Sequence, residues 1–374
     1  MNKLLQMLEI EEPKDPRQSW KVKHLMGDIV SIVFFATLSF CDDWIEIELF
    51  AKLHESTLKK YLELPNGIPS HDTIQRVIAM ISPTYLQKMR DHWNEMVAEG
   101  TDDKVRKLLG IDGKTQRGNG SEKIKANHIV SAVDDRGFCV GEVKTHEKSN
   151  EITAIPMLLQ GLNIKDTIIT TDAMGCQKDI VKIIRRKKAD YVLAVKGNQG
   201  TLHEDIKLYF EDSDLLAGCA YSKTREKARG NTELREYWQT DDILWLSSKK
   251  DWTGLKTIAM TKNTITKKDG TVTTEIRYFI SSLPLKVDDI AWAIRKHWMV
   301  ESYHWLLDVV FKEDANRTLE ETAAYNLNIF RKMALNTLKL IEFPEIRMKN
   351  LSFKNKRRLM MWRFDEHIDK IMAL

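Results

Sequence analysis

"LGIDGKTQRGNG", residues 109–120, decides how the chain is read. An apolar run stops on Asp112, and Gly113, Lys114 and Arg117 follow at once. A surface turn accounts for the glycines, and for Asp112 taken alone. A carboxylate held at a strand end and flanked by cations asks whether other acids lie in comparable places. "DTIITTDAMG" at 166–175 supplies one: a buried strand that ends on Asp172 and passes through small residues into a helix. Asp172 alone equally suits the cap of that helix. If the strands carrying the two acids are neighbours, both acids face one edge of a sheet, where open α/β sheets place their sites.

Outward from these two strands the texture changes in both directions. Residues 1–103 read as a helical domain: "HLMGDIVSIVFFATLSF", "DWIEIELFAKLHESTLKKYL", "HDTIQRVIAMI" and "SPTYLQKMRDHWNEMVAEG" all show helical apolar spacing. Ser70 or His71-Asp72 is placed to cap the third and Ser82-Pro83 to start the fourth. From 104, "VRKLLGID", "HIVSAVDD" and "FCVGEVKT" are β-rich, with "DDRG" as a hairpin turn. A helix over "NEITAIPMLLQGL" follows, with Pro156 near its first turn. Next come the Asp172 strand, a basic helix over "CQKDIVKIIRRKKA" and the strand "DYVLAVK". This alternation predicts a mixed α/β sheet flanked by helices. Residues 211–283 read as an antiparallel β insertion over "ELREYWQT", "DILWLSS", "LKTIAMTKNTIT" and "TVTTEIRYFISSL", with a turn at Lys268-Asp269-Gly270. A long helix from about Val287 to Phe311 completes a domain spanning 104–315. Residues 316–374 read as a helical tail with a basic stretch, "RMKNLSFKNKRR", at 347–358.

Composition bounds the answer. The chain has 374 residues, 43% hydrophobic and 30% charged, with a net charge of +4. Residues 1–100 carry −4, so the rest carries +8, a balance that suits a polyanionic partner. Cys41, Cys139, Cys176 and Cys219 form no metal-ligand pattern or disulfide framework. The opening "MNKLLQMLEIEEPKD" turns acidic early, so we expect no secretory signal. The apolar run at 28–41 is too short to span a bilayer. The expectation is a cytoplasmic protein without membrane contact.

A third acid is expected on the long helix. In "HWMVESYHWLLDVVFKED", Glu301 has His297, His304 and Asp308 at −4, +3 and +7, one polar stripe on an otherwise apolar helix. Glu301 alone also reads as a solvated helix residue, and the His-Trp steps as packing. Facing the sheet edge, the stripe would complete an oxygen-rich site for two ions of Mg²⁺, or Mn²⁺.

The blocks "IDGKTQRG", "TTDAMGCQKDI", "DYVLAVKGNQ", "HWMVESYHWLLDVVFKED" and "LPNGIPSHDT" resemble the signatures of bacterial insertion-sequence DDE transposases, in the H-repeat-associated, Rhs-linked branch. The resemblance spans nearly the whole chain. It implies an RNase H-like catalytic domain with Asp112, Asp172 and Glu301 as catalytic, metal-binding triad. Asp172 lies 60 residues after Asp112 and Glu301 a further 129. Related enzymes carry Tyr-x2-Arg-x3-Glu-x6-Lys around the last acid. Here those positions hold Ile294, His297, Glu301 and Asp308, so only the Glu matches, and His297 or His304 would stand in as a phosphate contact.

The resemblance further implies DNA as partner, at terminal inverted repeats and target, with a homodimer assembled on the DNA ends. Lys114, Arg117, Lys196, Asn198 and Gln199 would meet the backbone, the loop glycines letting it approach, with Lys354, Lys356, Arg357 and Arg358 in the tail. Trp252 would stack on a base. The helical front domain would recognise ends or dimerise. The implied reaction is cleavage at element ends and joining of the 3′-hydroxyls to target DNA. The rivals are an RNase H-like nuclease without strand transfer, a domesticated or inactive DNA-binding relative, and a β-rich binding module with incidental acids.

Overall fold

A computed structural model describes residues 15–98, 107–119, 126–145, 151–228, 230–346, 348 and 350–372. The opening segment, Gly120 of the glycine loop, and Arg347 and Lys349 of the basic stretch lie outside these residues.

The front of the chain is helical because its apolar residues recur at helical spacing. Its main helices are α1 (Met26–Leu38), α2 (Trp44–Leu53), α3 (His71–Met80) and α4 (Pro83–Ala98). Every residue of α1 is buried, the fate of a helix that is apolar all round. Its acid, Asp28, accepts from the backbone N–H groups of Leu64 at 2.9 Å and Glu63 at 3.4 Å. Ser70 caps α3 through the Thr73 N–H. Pro83 opens α4, where its missing N–H would have had no helical partner.

The sheet region follows with β1 (Lys107–Thr115), β2 (His128–Asp134), β3 (Cys139–Lys144), α5 (Glu151–Gly161), β4 (Thr167–Thr171), α6 (Lys178–Arg186), β5 (Asp190–Val195) and α7 (Gly200–Glu211). Then come β6 (Ala220–Ala228), β7 (Asn231–Thr240), β8 (Thr257–Thr266) and β9 (Val272–Ser281). Helices α8 (Val287–Val309), α9 (Glu321–Leu340), α10 (Phe353–Trp362) and α11 (Phe364–Ile371) end the chain. The strands form one nine-stranded sheet in the order β3-β2-β1-β4-β5-β9-β8-β7-β6. β1 with β4 and β4 with β5 are parallel, and the other pairs are antiparallel. This is the mixed α/β architecture that the alternation of elements predicts, and it agrees with the RNase H-like domain that the resemblance implies.

Several elements differ from their sequence reading. The β insertion joins the sheet of the preceding strands: β9 pairs with β5, so the insertion continues that sheet and covers an edge that would otherwise be open. "DILWLSS" is not a strand; a 3₁₀ turn occupies Ser247–Asp251, and Trp245 Nε1 donates to the Asp242 carbonyl. β6 has no strand signal in its sequence, because "AYSKTREKA" is too polar to show a buried face; it pairs with β7 at the sheet's edge. Pro156 lies at the sixth residue of α5, past the first turn.

The largest correction concerns the last helices, which are no tail. α9, α10 and α11 share one hydrophobic core with α1–α4, including Phe34, Phe35, Trp93, Phe330 and Phe364. A second core lies between the sheet and α5, α6 and α7. A third, small one lies under the start of α8, around Ile290 and Ala293. Helix α8 therefore covers the opposite face of the sheet and links it to the helical part.

A buried ion network locks these layers. Glu142 on β3 meets Lys332 of α9 and, at 2.9 Å, Arg90 of α4. The Glu142 and Lys332 side chains are 0% and 2% exposed. Removing one partner from such a pair strands a buried charge. Lys332→Ala is expected to lose about 3–5 kcal/mol in urea unfolding; a loss under about 1 kcal/mol would show that Arg90 alone satisfies Glu142.

Candidate active site

The site begins with register. β1 and β4 run parallel, and their last paired residues are Ile111 and Thr171. One residue further, each strand carries an acid, Asp112 and Asp172. Asp112 does not end its strand: β1 continues to Thr115 on β2 alone. Asp112 marks instead the point where β4 turns away.

β4 turns away because Asp172 caps a 3₁₀ turn over Ala173–Gly175. Its Oδ1 accepts from the N–H groups of Met174 at 2.9 Å and Gly175 at 3.3 Å. Cap and site acid are thus the same residue. Asn198 and Gln199 brace this turn: their side-chain amides donate to the carbonyls of Ala173 at 2.7 Å and Cys176 at 2.9 Å. Those amides were expected to meet DNA; they hold the Asp172 loop instead. Lys196, beside them, is exposed.

From the opposite face of the sheet, α8 brings His297, Glu301 and His304. Asp112, Asp172, His297 and Glu301 line one cavity of about 330 Å³, together with Lys196, Arg277 and Trp298. Sequence reasoning missed Arg277, an alternating residue of a β strand with nothing local to single it out. Its guanidinium lies over the Trp298 ring. His304 is buried and points its Nδ1 at Asp112 Oδ2, 3.3 Å away. It therefore orients an acid and cannot reach phosphate. His297 Nδ1 lies 2.9 Å from the Thr170 hydroxyl. Burial holds its imidazole down to about 4, so it is neutral at pH 7.

The acids are shifted in opposite directions. Burial alone would raise the Asp112 carboxyl, but the hydrogen bond and charge of His304 hold it below its ordinary value. Asp172 is raised, first by burial and then by the neighbouring charge of Glu151. Glu301 is raised by partial desolvation of its carboxyl in the cavity and by the charge of Asp112.

Glu151, the first residue of α5, is the acid that sequence reasoning passed over. An acid in a helix's first turn ordinarily reads as a complement to the helix dipole. Here its carboxylate joins those of Asp112 and Asp172, with oxygens all within 4.8 Å of one another. Among the described residues that group does not include Glu301, which lines the same cavity as an exposed residue. Clustered carboxylate oxygens, with the charges of Glu151 and Asp112 adding to burial in raising Asp172, fit a hard divalent cation such as Mg²⁺ or Mn²⁺.

A second acidic group, Asp308, Glu313 and Asp314, already has its cation. Lys114 Nζ lies 2.5 Å from Asp308, 3.3 Å from Asp314 and in contact with Glu313. Its side chain is 13% exposed, so Lys114 neutralises these acids rather than meeting DNA. The loop glycines also serve the protein. A Cβ on Gly118 would collide with the backbone oxygens of Asp314 and Asn316, and one on Gly113 with Glu151 and His128. The Arg117 side chain is exposed.

Three further expectations are corrected by burial. Trp252 is 2% exposed and belongs to the core beside α7, so it cannot stack on a base. Arg357 is 0% exposed; it donates to the carbonyls of Thr37, Val310 and Cys41 and to Asp42. Lys356 Nζ donates to the carbonyls of Leu338 and Ile341 and so ends α9. Both look like DNA-binding cations in sequence because a basic run does not reveal which members turn inward. Lys354 is exposed, and Arg358, half-buried, lies over Phe40.

Comparison with known proteins finds similarity along most of the chain. The family described as Transposase DDE domain matches residues 96–337, and the one described as DDE_Tnp_1-associated matches 8–94. "Putative transposase YncI" of Escherichia coli O157:H7 is 42% identical, over 87% of this chain and 85% of that protein. "H repeat-associated putative transposase YhhI" of Escherichia coli K12 is 39% identical over 87% of each. "Inactive transposase YbfQ" of the same strain is 40% identical, over 21% of this chain and 92% of its own length.

The raised Asp172 carboxyl has a measurable consequence. A folded-state value above the ordinary 3.8 means that stability is full below that pH and is lost as pH rises through the folded value. Asp172→Asn keeps a capping oxygen and removes the charge. In chelator at pH 7 it is expected to raise Tm by a few degrees, with the gain vanishing toward pH 4. An unchanged Tm at pH 7 would mean that carboxylate repulsion does not load the site.

Proposed function

This chain belongs to the Transposase DDE domain family, and on that premise we propose that it cleaves DNA at the ends of an insertion sequence and joins the freed 3′-hydroxyls to target DNA. The carrying observation is the β1–β4 register that sets Asp112 beside Asp172 in a cavity also lined by Glu301. Asp112, Asp172 and Glu301 would hold two Mg²⁺ ions, with Mn²⁺ as substitute. Ions bound there would supply the acidity that activates an attacking water or 3′-hydroxyl and the charge that stabilises the leaving oxygen.

The residues of the chain do the positioning. His304 fixes the Asp112 carboxylate, and the Met174 and Gly175 N–H groups fix that of Asp172. Lys196, exposed at the cavity, offers its charge to a phosphate. Arg117, Lys354 and Arg358 would extend backbone contact, a sequence-independent attraction that salt weakens. The helical part built from both ends of the chain would recognise terminal repeats or pair two copies on the two DNA ends. No described helix is long and apolar enough to cross a membrane, and DNA as substrate implies a cytoplasmic setting.

The test is cleavage and joining of labelled DNA carrying the inverted repeats that flank the gene, with Mg²⁺ or Mn²⁺. Wild type should cut at the repeat ends and give joined products. Asp172→Asn should lose on the order of 10²-fold or more in rate, several kcal/mol of charge stabilisation. Cutting without joining would assign a nuclease, and binding without cutting a DNA-binding relic. Separately, Lys196→Ala should lower the slope of log affinity against log salt by about 0.9; an unchanged slope would remove Lys196 from the DNA path.

A further inference from the structure

We propose that Glu151 is a further ligand of the metal site, held toward Asp112 and Asp172 by His128. The inference rests on the DDE reading above and adds a fourth acid to the triad.

Three observations converge. Glu151 reaches the two aspartates from α5, on the face of the sheet opposite α8, and its oxygen lies within 4.8 Å of theirs. Glu301, exposed on the other side of the cavity, is not in that group. The approach depends on Gly113: a Cβ there would overlap the Glu151 carboxylate and lie 2.7 Å from His128 Nε2. The residue next to Asp112 is thus kept bare, and the space above it is filled by Glu151 and His128.

The third observation is how Glu151 is held. His128 pairs with Thr115 across β1 and β2. Its Nδ1 lies 2.8 Å from Thr115 Oγ1 and its Nε2 3.2 Å from Glu151 Oε1. An ionised carboxylate only accepts, so Nε2 carries the proton toward Glu151, and in the neutral ring the Thr115 hydroxyl donates to Nδ1. A carboxylate oriented by an imidazole that is itself oriented by a hydroxyl is the support that metal-ligating carboxylates receive from their outer neighbours. A helix-start acid serving only the helix dipole needs neither the bare Gly113 nor His128. Glu151 is a ligand in this assignment and His128 a positioning residue.

The experiment is a Mn²⁺ titration of the full chain, without DNA, with free Mn²⁺ read by electron paramagnetic resonance. Wild type, Glu151→Gln, His128→Gln and Asp112→Asn are compared, each with a melting curve in chelator. Glu151→Gln should weaken the tightest Mn²⁺ site at least about tenfold, and His128→Gln by a factor toward the low end of about 10–100. Glu151→Gln should also melt no lower than wild type in chelator while gaining less Tm from Mn²⁺, a pattern that a purely structural residue does not give. Gly113→Ala, which keeps every carboxylate but displaces Glu151, should weaken Mn²⁺ as well and stands in if Glu151→Gln fails to fold. Wild-type Mn²⁺ affinity in Glu151→Gln, with loss in Asp112→Asn, would overturn the assignment and leave the triad intact. Wild-type affinity in both would overturn the metal reading itself.

Discussion

The parallel pairing of β1 with β4 imposes the constraint on which the site depends. It sets two carboxylates, Asp112 and Asp172, side by side one residue past the last paired positions. Like charges at that separation cannot both ionise comfortably without a cation. The surroundings act on each differently. His304 keeps Asp112 ionised, whereas burial and Glu151 push Asp172 toward protonation. Neither aspartate is free to swing away, since one is tied to an imidazole and the other to two backbone N–H groups. The site therefore stores unfavourable charge in a fixed geometry, a preorganised environment for a divalent ion.

The neighbouring acids show the contrast. Asp308, Glu313 and Asp314 cluster just as closely, yet Lys114 sits among them. One acidic group is neutralised by a lysine, whereas the ion partners described for the other are the imidazoles of His304 and His128. Lys114 lies two residues from Asp112, so one short stretch of β1 serves both. The same economy appears in Asp172, at once cap and site residue, and in Asn198 and Gln199, which stabilise the loop that Asp172 begins.

The helical part explains how α8 is held over the sheet. Its core combines α1–α4 with α9–α11, and Val300, Tyr303 and Leu307 of α8 enter that core. The Arg90–Glu142–Lys332 network ties the same helices to β3. Helix α8 thus has one face in the helical core and another, with His297 and Glu301, at the cavity. Family membership extends over both parts, through the two adjoining matches at 8–94 and 96–337.

Much of this was legible in the chain itself. The alternation of β-rich and helical segments determined a mixed α/β sheet, and apolar runs that stop on Asp112 and Asp172 marked two acids at one edge. Periodicity on the long helix put His297, Glu301 and His304 on one stripe. These are local signals, set by side-chain spacing along one element. What the sequence did not determine was partnership. Whether Lys114 or Arg357 faces solvent, whether Trp252 sits in a turn or a core, and whether residues 316–374 form a tail or half of a helical core depend on segments far away in the chain. Glu151 and His128 carry no local mark because their meaning comes from Gly113, whose missing side chain lets them close over β1. Tertiary structure alone decided these points, because burial and charge pairing are properties of the space between elements and not of any one of them.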